Sequence, residues 1–342
     1  MKATKRTATA GVASPVTLAM VAEAAGVSPS TVSRVLNGTA VVSPDKREAI
    51  DTAIADLGFV PNPVARGLAG GRTLSVGVIT QSLDSPFYGV ALRGIEEELK
   101  AAGYSALFVS GHWDAKEEAR CIDILRARRV DGLIVLTGRL SDTVLKNCAK
   151  HMPVVVTGRN LKAANLYALN FDNFEGAKLA TAELIAKGHK RIAFITGNLD
   201  QPDAVERQNG YLAALKESKV TFDSKLVIPG RYDEISGMEA AKQLLTKGVK
   251  FSAIFAANDQ MAVGAMLTLH QHGVRIPQDV AVMGFDDLHV CAHTFPPLSS
   301  VHQPAQEMGQ LAAQAMLKLL NGVKPVIAMP EPKLMLRQST AD

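Results

Sequence analysis

Residues 16–36 read VTLAMVAEAAGVSPSTVSRVL. Thr17 stands where it can cap a helix, and Leu18, Val21, Ala22 and Ala25 recur at the spacing of one helical face. Gly26 ends that helix, because glycine takes the left-handed conformation that turns the chain. Ser28 caps a second helix and Pro29 occupies its first position, where a missing N–H costs nothing. Two helices joined by so short a turn have helix-turn-helix spacing, in which the second helix enters the DNA major groove by its N-terminal end. Ser43-Pro44 repeats the cap-plus-proline start for a third helix over 44–57, closed by Gly58. Its Ile50, Ile54 and Leu57 complete a small core with Val21, Val27, Val32 and Val35.

Charge agrees with a polyanion partner for this head. Residues 1–72 carry eight Lys/Arg against five acids, a net +3, which leaves +1 of the total +4 for the remaining 270 residues. Residues 1–15 read as a flexible basic tail. Ser30, Thr31, Ser33 and Arg34 fall on or beside the exposed face of the second helix. Arg34 suits bidentate pairing with guanine or a clamp on a phosphate. In residues 62–71, Asn62 caps, Pro63 starts and 64–69 gives under two turns, too short to stand alone as a helix. Gly67, Gly70 and Gly71 weaken it further. On the residues alone, a flexible linker and a helix that folds on DNA both remain open.

Beyond Arg72 the pattern changes. Strands at 74–80, 105–109, 132–136 and 154–157 alternate with helices at 87–102, 115–129 and 141–150. The theme restarts with a helix at 176–187, a strand at 192–196 and helices near 204–216 and 236–246. A strand at 253–257, a helix at 259–272 and a strand at 280–285 follow. This alternation predicts an α/β body of parallel, doubly wound sheets, two of them, behind an all-α head. In such sheets ligands bind beyond the C-terminal ends of the strands.

Bulk properties exclude several classes. Of the 342 residues 47% are hydrophobic and 20% charged, and no run of about 18 apolar residues suggests a membrane span. Cys121, Cys148 and Cys291 lie far apart with no C-x-x-C spacing, which reads as reduced thiols in a cytoplasmic protein. An enzyme is the main rival. Asp286-Asp287 imitates a glycosidase pair, but neighbouring strand residues face opposite sides. No G-x-S-x-G or Walker glycine loop is present. His289 and His293 lack a further ligand at metal-site spacing, and His189 after Gly188 reads as structural. A periplasmic binding protein would share the body but not the head. No enzyme activity, cofactor or metal is expected.

The head resembles that of the lactose- and galactose-repressor family almost position by position, continuing through Gly58-Phe59-Val60-Pro61-Asn62 and Ala65-Arg66-Gly67-Leu68. The body resembles the same family at Asp84-Ser85-Pro86-Phe87-Tyr88, Asp172-Asn173, Gly188-His189, Asn258-Asp259-Gln260-Met261-Ala262 and Gly284-Phe285-Asp286-Asp287. The likeness runs through residues 16–340. It implies a two-lobed, periplasmic-binding-protein-like body with three crossovers. The lobes are expected at about 73–172 with 304–325, and 173–303 with 326–342, behind a head at 16–61 and a hinge at 62–72.

The resemblance places Pro29, Ser30 and Arg34 at base-reading positions. Pro29 departs from the bulkier polar residue of some members, so contact there is apolar or absent. The full expected DNA-binding set is Thr17, Ser28, Pro29, Ser30, Thr31, Ser33, Arg34 and Asn37, with Asn62, Ala65 and Leu68 in the hinge. Leu68 would wedge into the minor groove and kink the duplex. For the effector the match implies Arg207 and Asp286 on ligand hydroxyls, Asn258 as donor and acceptor, and Phe87 and Tyr232 as flat walls. Tyr88, Asp172 and Gln303 complete the set. The alternative for Arg207 and Asp286 is a structural buried ion pair. The protein is thus expected to be a homodimeric repressor on near-palindromic double-stranded DNA, released by a mono- or disaccharide. Corepression by a purine, sugar acid or sugar phosphate is the second reading.

Overall fold

The computed structural model describes residues 16–36, 42–60 and 71–341. The expected tail (1–15), Asn37, and the hinge residues Asn62, Ala65 and Leu68 lie outside the described residues. The chain divides into two units, Met1–Thr73 and Leu74–Asp342.

The first unit holds α1 (Leu18–Ala24), α2 (Pro29–Leu36) and α3 (Pro44–Leu57). The Met20 N–H donates to Thr17 Oγ1 at 3.4 Å, and the Thr31 N–H to Ser28 Oγ at 3.2 Å, so both predicted caps form. Ser43 stands at the N-cap of α3 but makes no side-chain cap bond; Pro44 supplies the start. Gly58, at φ +61°, ends α3. Val21, Val32 and Ile50 are fully buried, with Ala22, Ala53 and Phe59 around them. At about 1.5–3 kcal/mol for each fully buried aliphatic side chain, this cluster is enough to lock three short helices together.

The second unit contains two sheets. The first is built from β1 (Ser75–Thr80), β2 (Ser105–Ser110), β3 (Gly132–Val135), β4 (Val154–Thr157) and β5 (Leu166–Leu169), all parallel, in the order β2-β1-β3-β4-β5. Helices α4 (Pro86–Ala101), α5 (Ala115–Ala127) and α6 (Asp142–Ala149) connect its first four strands. The chain then enters the second sheet through α7 (Asn173–Ala186), which starts three residues earlier than the hydrophobic pattern predicts because Asp172 caps it.

The second sheet has the order β11-β10-β9-β8-β6-β7. It is built from β6 (Ile192–Thr196), α8 (Pro202–Glu217), β7 (Val227–Pro229), α9 (Glu234–Thr246), β8 (Ala253–Ala256), α10 (Asp259–Gln271), β9 (Ala281–Asp286) and β10 (Ser299–His302). Next, α11 (Ala305–Leu320) packs on α4, β3 and β4 of the first sheet, and β11 (Lys333–Met335) returns antiparallel to β10. The chain therefore passes between sheets three times, and each lobe has its own apolar core. β5, β7, β10, β11 and α11 are absent from the sequence reading of the elements. Among the described residues no helix is long and apolar enough to cross a membrane, and the three cysteines are free and buried.

Both sheets share one design: the strand order reverses beside their first strand, β1 in one and β6 in the other. A reversal sends successive connections to opposite faces and opens a crevice at the C-terminal strand ends.

Candidate effector cleft and DNA-contacting helix

A cleft of about 590 Å³ lies at these strand ends. Its lining follows the topology. Gln81 comes from the end of β1, Trp113 from β2, Thr137 from β3 and Gly158 from β4. The second lobe supplies Gln201 and Asp203 after β6, Tyr232 after β7, Asn258 after β8, Asp286 from β9 and Gln303 after β10.

Arg207, projecting from α8, is the hub. Its Nε donates to Asn173 Oδ1 at 2.9 Å, Nη2 to Gln303 Oε1 at 3.0 Å, and Nη1 to the Ala257 carbonyl. Nη1 also lies 3.6 Å from Asp286 Oδ1, and the guanidinium carbon sits 3.7 Å above the Phe285 ring. A planar fork is the one side chain that satisfies this many acceptors in one plane while stacking on an aromatic face. Burial pushes the Asp286 carboxyl well above the usual carboxylate range, with Arg207 pulling the other way. Arg207 and Asp286 thus form a buried pair and face the cleft at the same time.

The other predicted residues sort cleanly. Asn258 caps α10, its Oδ1 accepting from the Met261 N–H at 3.0 Å, while its Nδ2 donates to the Tyr232 carbonyl at 3.0 Å. The Tyr232 hydroxyl donates to Asp203 Oδ2 at 3.2 Å. Gln303 is buried beside Arg207. Phe87 and Tyr88 meet edge to face at 5.6 Å, and Tyr88 lies 6.3 Å from the Trp113 ring, forming one aromatic wall on the first lobe. Asp172 is the exception. It is exposed and its carboxylate accepts the Glu175 N–H at 2.8 Å, so it serves as a helix cap and does not line the cleft. Its neighbour Asn173 is the buried lining residue.

Sequence reasoning missed Gln81, Trp113, Gln201 and Asp203. Gln81 is buried, its Nε2 donating to the Thr137 carbonyl at 2.9 Å and its Oε1 accepting the Trp113 N–H at 2.9 Å. It thereby ties the ends of β1, β2 and β3 together. A usable signal existed: each of these residues closely follows a strand that the sequence had already placed. Backbone strain marks the same site. Of ten non-glycine residues with positive φ among the described residues, His112, Trp113, Thr137, Tyr232 and Asp286 line the cleft. Such conformations cost on the order of 1–3 kcal/mol each and persist where the surroundings over-determine them, characteristically at binding sites.

The motifs assigned to rival functions have other roles. Asp287 turns away from Asp286 and pairs with Arg337 at 2.7 Å and His302 at 2.9 Å. His289 and His293 stack at 4.4 Å outside the cleft, and His189 bonds Ser252 at 3.0 Å.

In the head, Pro29, Ser30 and Arg34 are exposed on α2, Thr17 and Ser28 are exposed at the caps of α1 and α2, and Thr31 and Ser33 are half-buried. The Ser28 hydroxyl bonds both Ser30 and Thr31 hydroxyls at 2.8 Å, and Arg34 Nε donates to the Ser30 carbonyl at 3.2 Å. The polar face of α2 is therefore ordered from its N-terminal turn outward.

Comparison with known proteins places both units. The family model described as bacterial regulatory proteins, lacI family, matches residues 17–62. That described as periplasmic binding proteins and sugar binding domain of LacI family matches residues 73–328. The regulator AscG of Escherichia coli (strain K12) is 36% identical over 90% of this chain and 92% of its own length. CelR of Thermobifida fusca is 37% identical over 94% and 98%. Among solved structures, the CelR–cellobiose complex covers 95% of this chain and 99% of its own at 36% identity and a TM-score of 0.71. The lac repressor dimer bound to operator and the anti-inducer ONPF covers 96% and 100% at 29% identity and a TM-score of 0.85. By sequence and by fold, over nearly its whole length, the chain belongs to the LacI family.

Proposed function

We propose that the protein is a sequence-specific DNA-binding transcriptional repressor, released from its operator by a small sugar. The observation that carries this is the pairing within one chain of an exposed, capped α2 with a two-lobed cleft centred on the buried Arg207 and Asp286. The names of the relatives support it: CelR is described with cellobiose, and the lac repressor as a dimer on operator DNA.

Pro29, Ser30 and Arg34 of α2 face base-pair edges, while Thr17, Ser28, Thr31, Ser33 and Asn37 position the helix or contact the backbone. A homodimer presents two such helices to a near-palindromic site, matching protein symmetry to DNA symmetry. In the hinge, Asn62, Ala65 and Leu68 engage the minor groove, with Leu68 as the wedge. In the cleft, Arg207, Asp286 and Asn258 hold hydroxyls, Phe87, Tyr88 and Tyr232 flank the ring faces, and Gln303 orients Arg207. Ligand between the lobes alters their angle, and a coupling of about 1–3 kcal/mol suffices to shift operator affinity. The description of the relatives as transcriptional regulators supports a DNA-binding protein of the cytoplasm rather than an enzyme.

Selection of genomic fragments by gel retardation with full-length protein tests this reading. One near-palindromic site should be enriched, and a mono- or disaccharide should weaken its retention. Equal affinity for random duplex, with and without sugars, refutes it.

A further inference from the structure

We infer that the cleft selects an uncharged, hydroxyl-bearing ligand and rejects anionic analogues of it, and that Asp203 and Gln201 impose this choice. The inference rests on the sugar-effector reading above and narrows it.

The first observation is a shortage of donors. Asp203 Oδ2 is satisfied by the Tyr232 hydroxyl, but Oδ1 is buried without a hydrogen-bond partner. Gln201, only 4% exposed, holds its Oε1 in the same state. Gln201 is the N-cap of α8 and Asp203 stands two residues later in its first turn, so both unsatisfied acceptors come from the start of one helix, and both residues line the cleft. A carboxylate only accepts hydrogen bonds, so it needs a ligand that donates. Sugar hydroxyls donate. The oxygens of a phosphate or carboxylate only accept, and they would meet Asp203 as like charges.

The second observation is the charge of the walls. The lining contains Asp84, Asp203, Asp233, Glu234 and Asp286. Against these stand Arg207 and Arg231, with no lysine. Both guanidinium groups are committed: Arg207 to Asp286 and three other acceptors, Arg231 to Glu239 at 3.1 Å and Asp233 at 3.6 Å. An anionic ligand would have to compete with these protein carboxylates for either guanidinium, and the remaining basic side chain on the wall is His112.

The third is the helix end that would ordinarily attract an anion. The N-terminus of α8 opens on this wall, but Pro202 supplies no N–H there, and Asp203 places a negative charge in the first turn. The residues that start the helix therefore also oppose an anion.

The chain has one tryptophan, Trp113, and it lines the cleft, so its fluorescence reports binding in the full-length protein. The probes are matched pairs: cellobiose with cellobionate, glucose with glucose 6-phosphate and gluconate. The wild type should bind at least one neutral probe, and its anionic partner at least tenfold more weakly. Asp203→Asn should weaken the neutral probe and shrink that ratio severalfold. Gln201→Lys, which adds a donor and a positive charge, should raise affinity for the anionic partner at least tenfold. Wild-type binding of an anionic probe equal to or tighter than its neutral partner overturns the inference while leaving the sugar-effector reading intact. So does an unchanged ratio in both variants, each checked for native circular dichroism. Failure of every saccharide, charged or not, to perturb Trp113 or the thermal midpoint overturns the sugar-effector reading and the inference with it.

Discussion

Arg207 Nη1 lies 3.6 Å from Asp286 Oδ1, both side chains are about 95% buried, and this pair is held by residues from α7, β8, β9 and β10 or the turns that follow them. Removing one partner of such a pair strands the other charge in a poor solvent, at a cost of about 3–5 kcal/mol. Arg207→Ala should therefore lose both effector response and that much unfolding free energy. The double variant Arg207→Met/Asp286→Asn leaves no stranded charge. It should recover most of the stability and none of the response. Denaturant unfolding read beside operator retardation separates the two; a double variant that still responds to effector removes the pair from the site.

Arg34 is placed to read sequence or to clamp the backbone. It stands exposed on α2, one helical turn beyond Ser30, whose carbonyl it already contacts. If Arg34 reads a guanine edge, Arg34→Ala lowers operator preference over random duplex by about 1–3 kcal/mol. A loss that is equal on operator and random DNA, with a shallower salt dependence, assigns it to a phosphate instead. Binding to both duplexes across a salt series checks this.

Much of this was legible in the sequence because the relevant signals are local. Thr17, Ser28, Gly26 and Gly58 announce helix ends by their own conformational preferences, and β1, β4 and β6 are short runs dominated by apolar residues. What was missed depends on partners far along the chain. β10 reads SSVH, yet Ser299 and Ser300 are buried because Thr340 and Asp259 accept or share their hydroxyl protons. β5 and β7 are short edge strands with weak patterning. The pairing of α4 with α11 needs Gly94 and Gly309, where a side-chain methyl would strike the Gln306 and Ala91 carbonyls; α9 and α10 use Gly237 and Gly264 likewise. In sequence these glycines only weaken helix propensity. Asp172 and Asn173 could not be told apart either, because which of two neighbours caps the helix and which faces inward is settled by where α8 brings Arg207.

The buried carboxyls predict an unusual pH response. Asp259, fully buried, accepts from the Leu288 N–H at 2.7 Å and the Ser300 hydroxyl at 2.6 Å, and burial pushes it up to about 6. Burial also raises Glu118, Glu206 and Asp286. An acid raised in the folded state carries its full penalty above the folded value, and that penalty is relieved as pH falls through it toward the unfolded 3.8. Asp279, held at about 2 by Arg275, loses its stabilisation only below 3.8, outside this window. Lowering pH from 7 to 5 should therefore raise the urea midpoint, with Asp259 contributing about 1 kcal/mol over that interval, because relief begins only as pH falls through its folded value. A midpoint that falls over that range contradicts the assignment.

Two carboxylates, Asp200 and Glu118, act on the same loop through Arg139. Arg139 Nη2 bridges the lobes to Asp200 Oδ2 at 2.9 Å, but these side chains are 36% and 72% exposed. Exposed pairs of this kind contribute about 0.2–1 kcal/mol, so Asp200→Asn should change effector affinity by no more than about fivefold, with the difference vanishing at high salt. The other carboxylate, Glu118, is wholly buried beneath the loop and accepts the Arg139 N–H at 2.8 and 2.9 Å and the Leu140 N–H at 2.9 Å. Glu118→Ala leaves both donors without an acceptor, at about 1–3 kcal/mol apiece, and frees the loop that carries Thr137 to the cleft. Stability should fall by several times what Asp200→Asn costs, and effector binding should weaken even at high salt, where the Arg139 bridge no longer contributes. If the two substitutions prove equivalent by calorimetry at low and high salt, the buried carboxylate is not what holds that loop, and the bridge across the lobes matters more than its exposure implies.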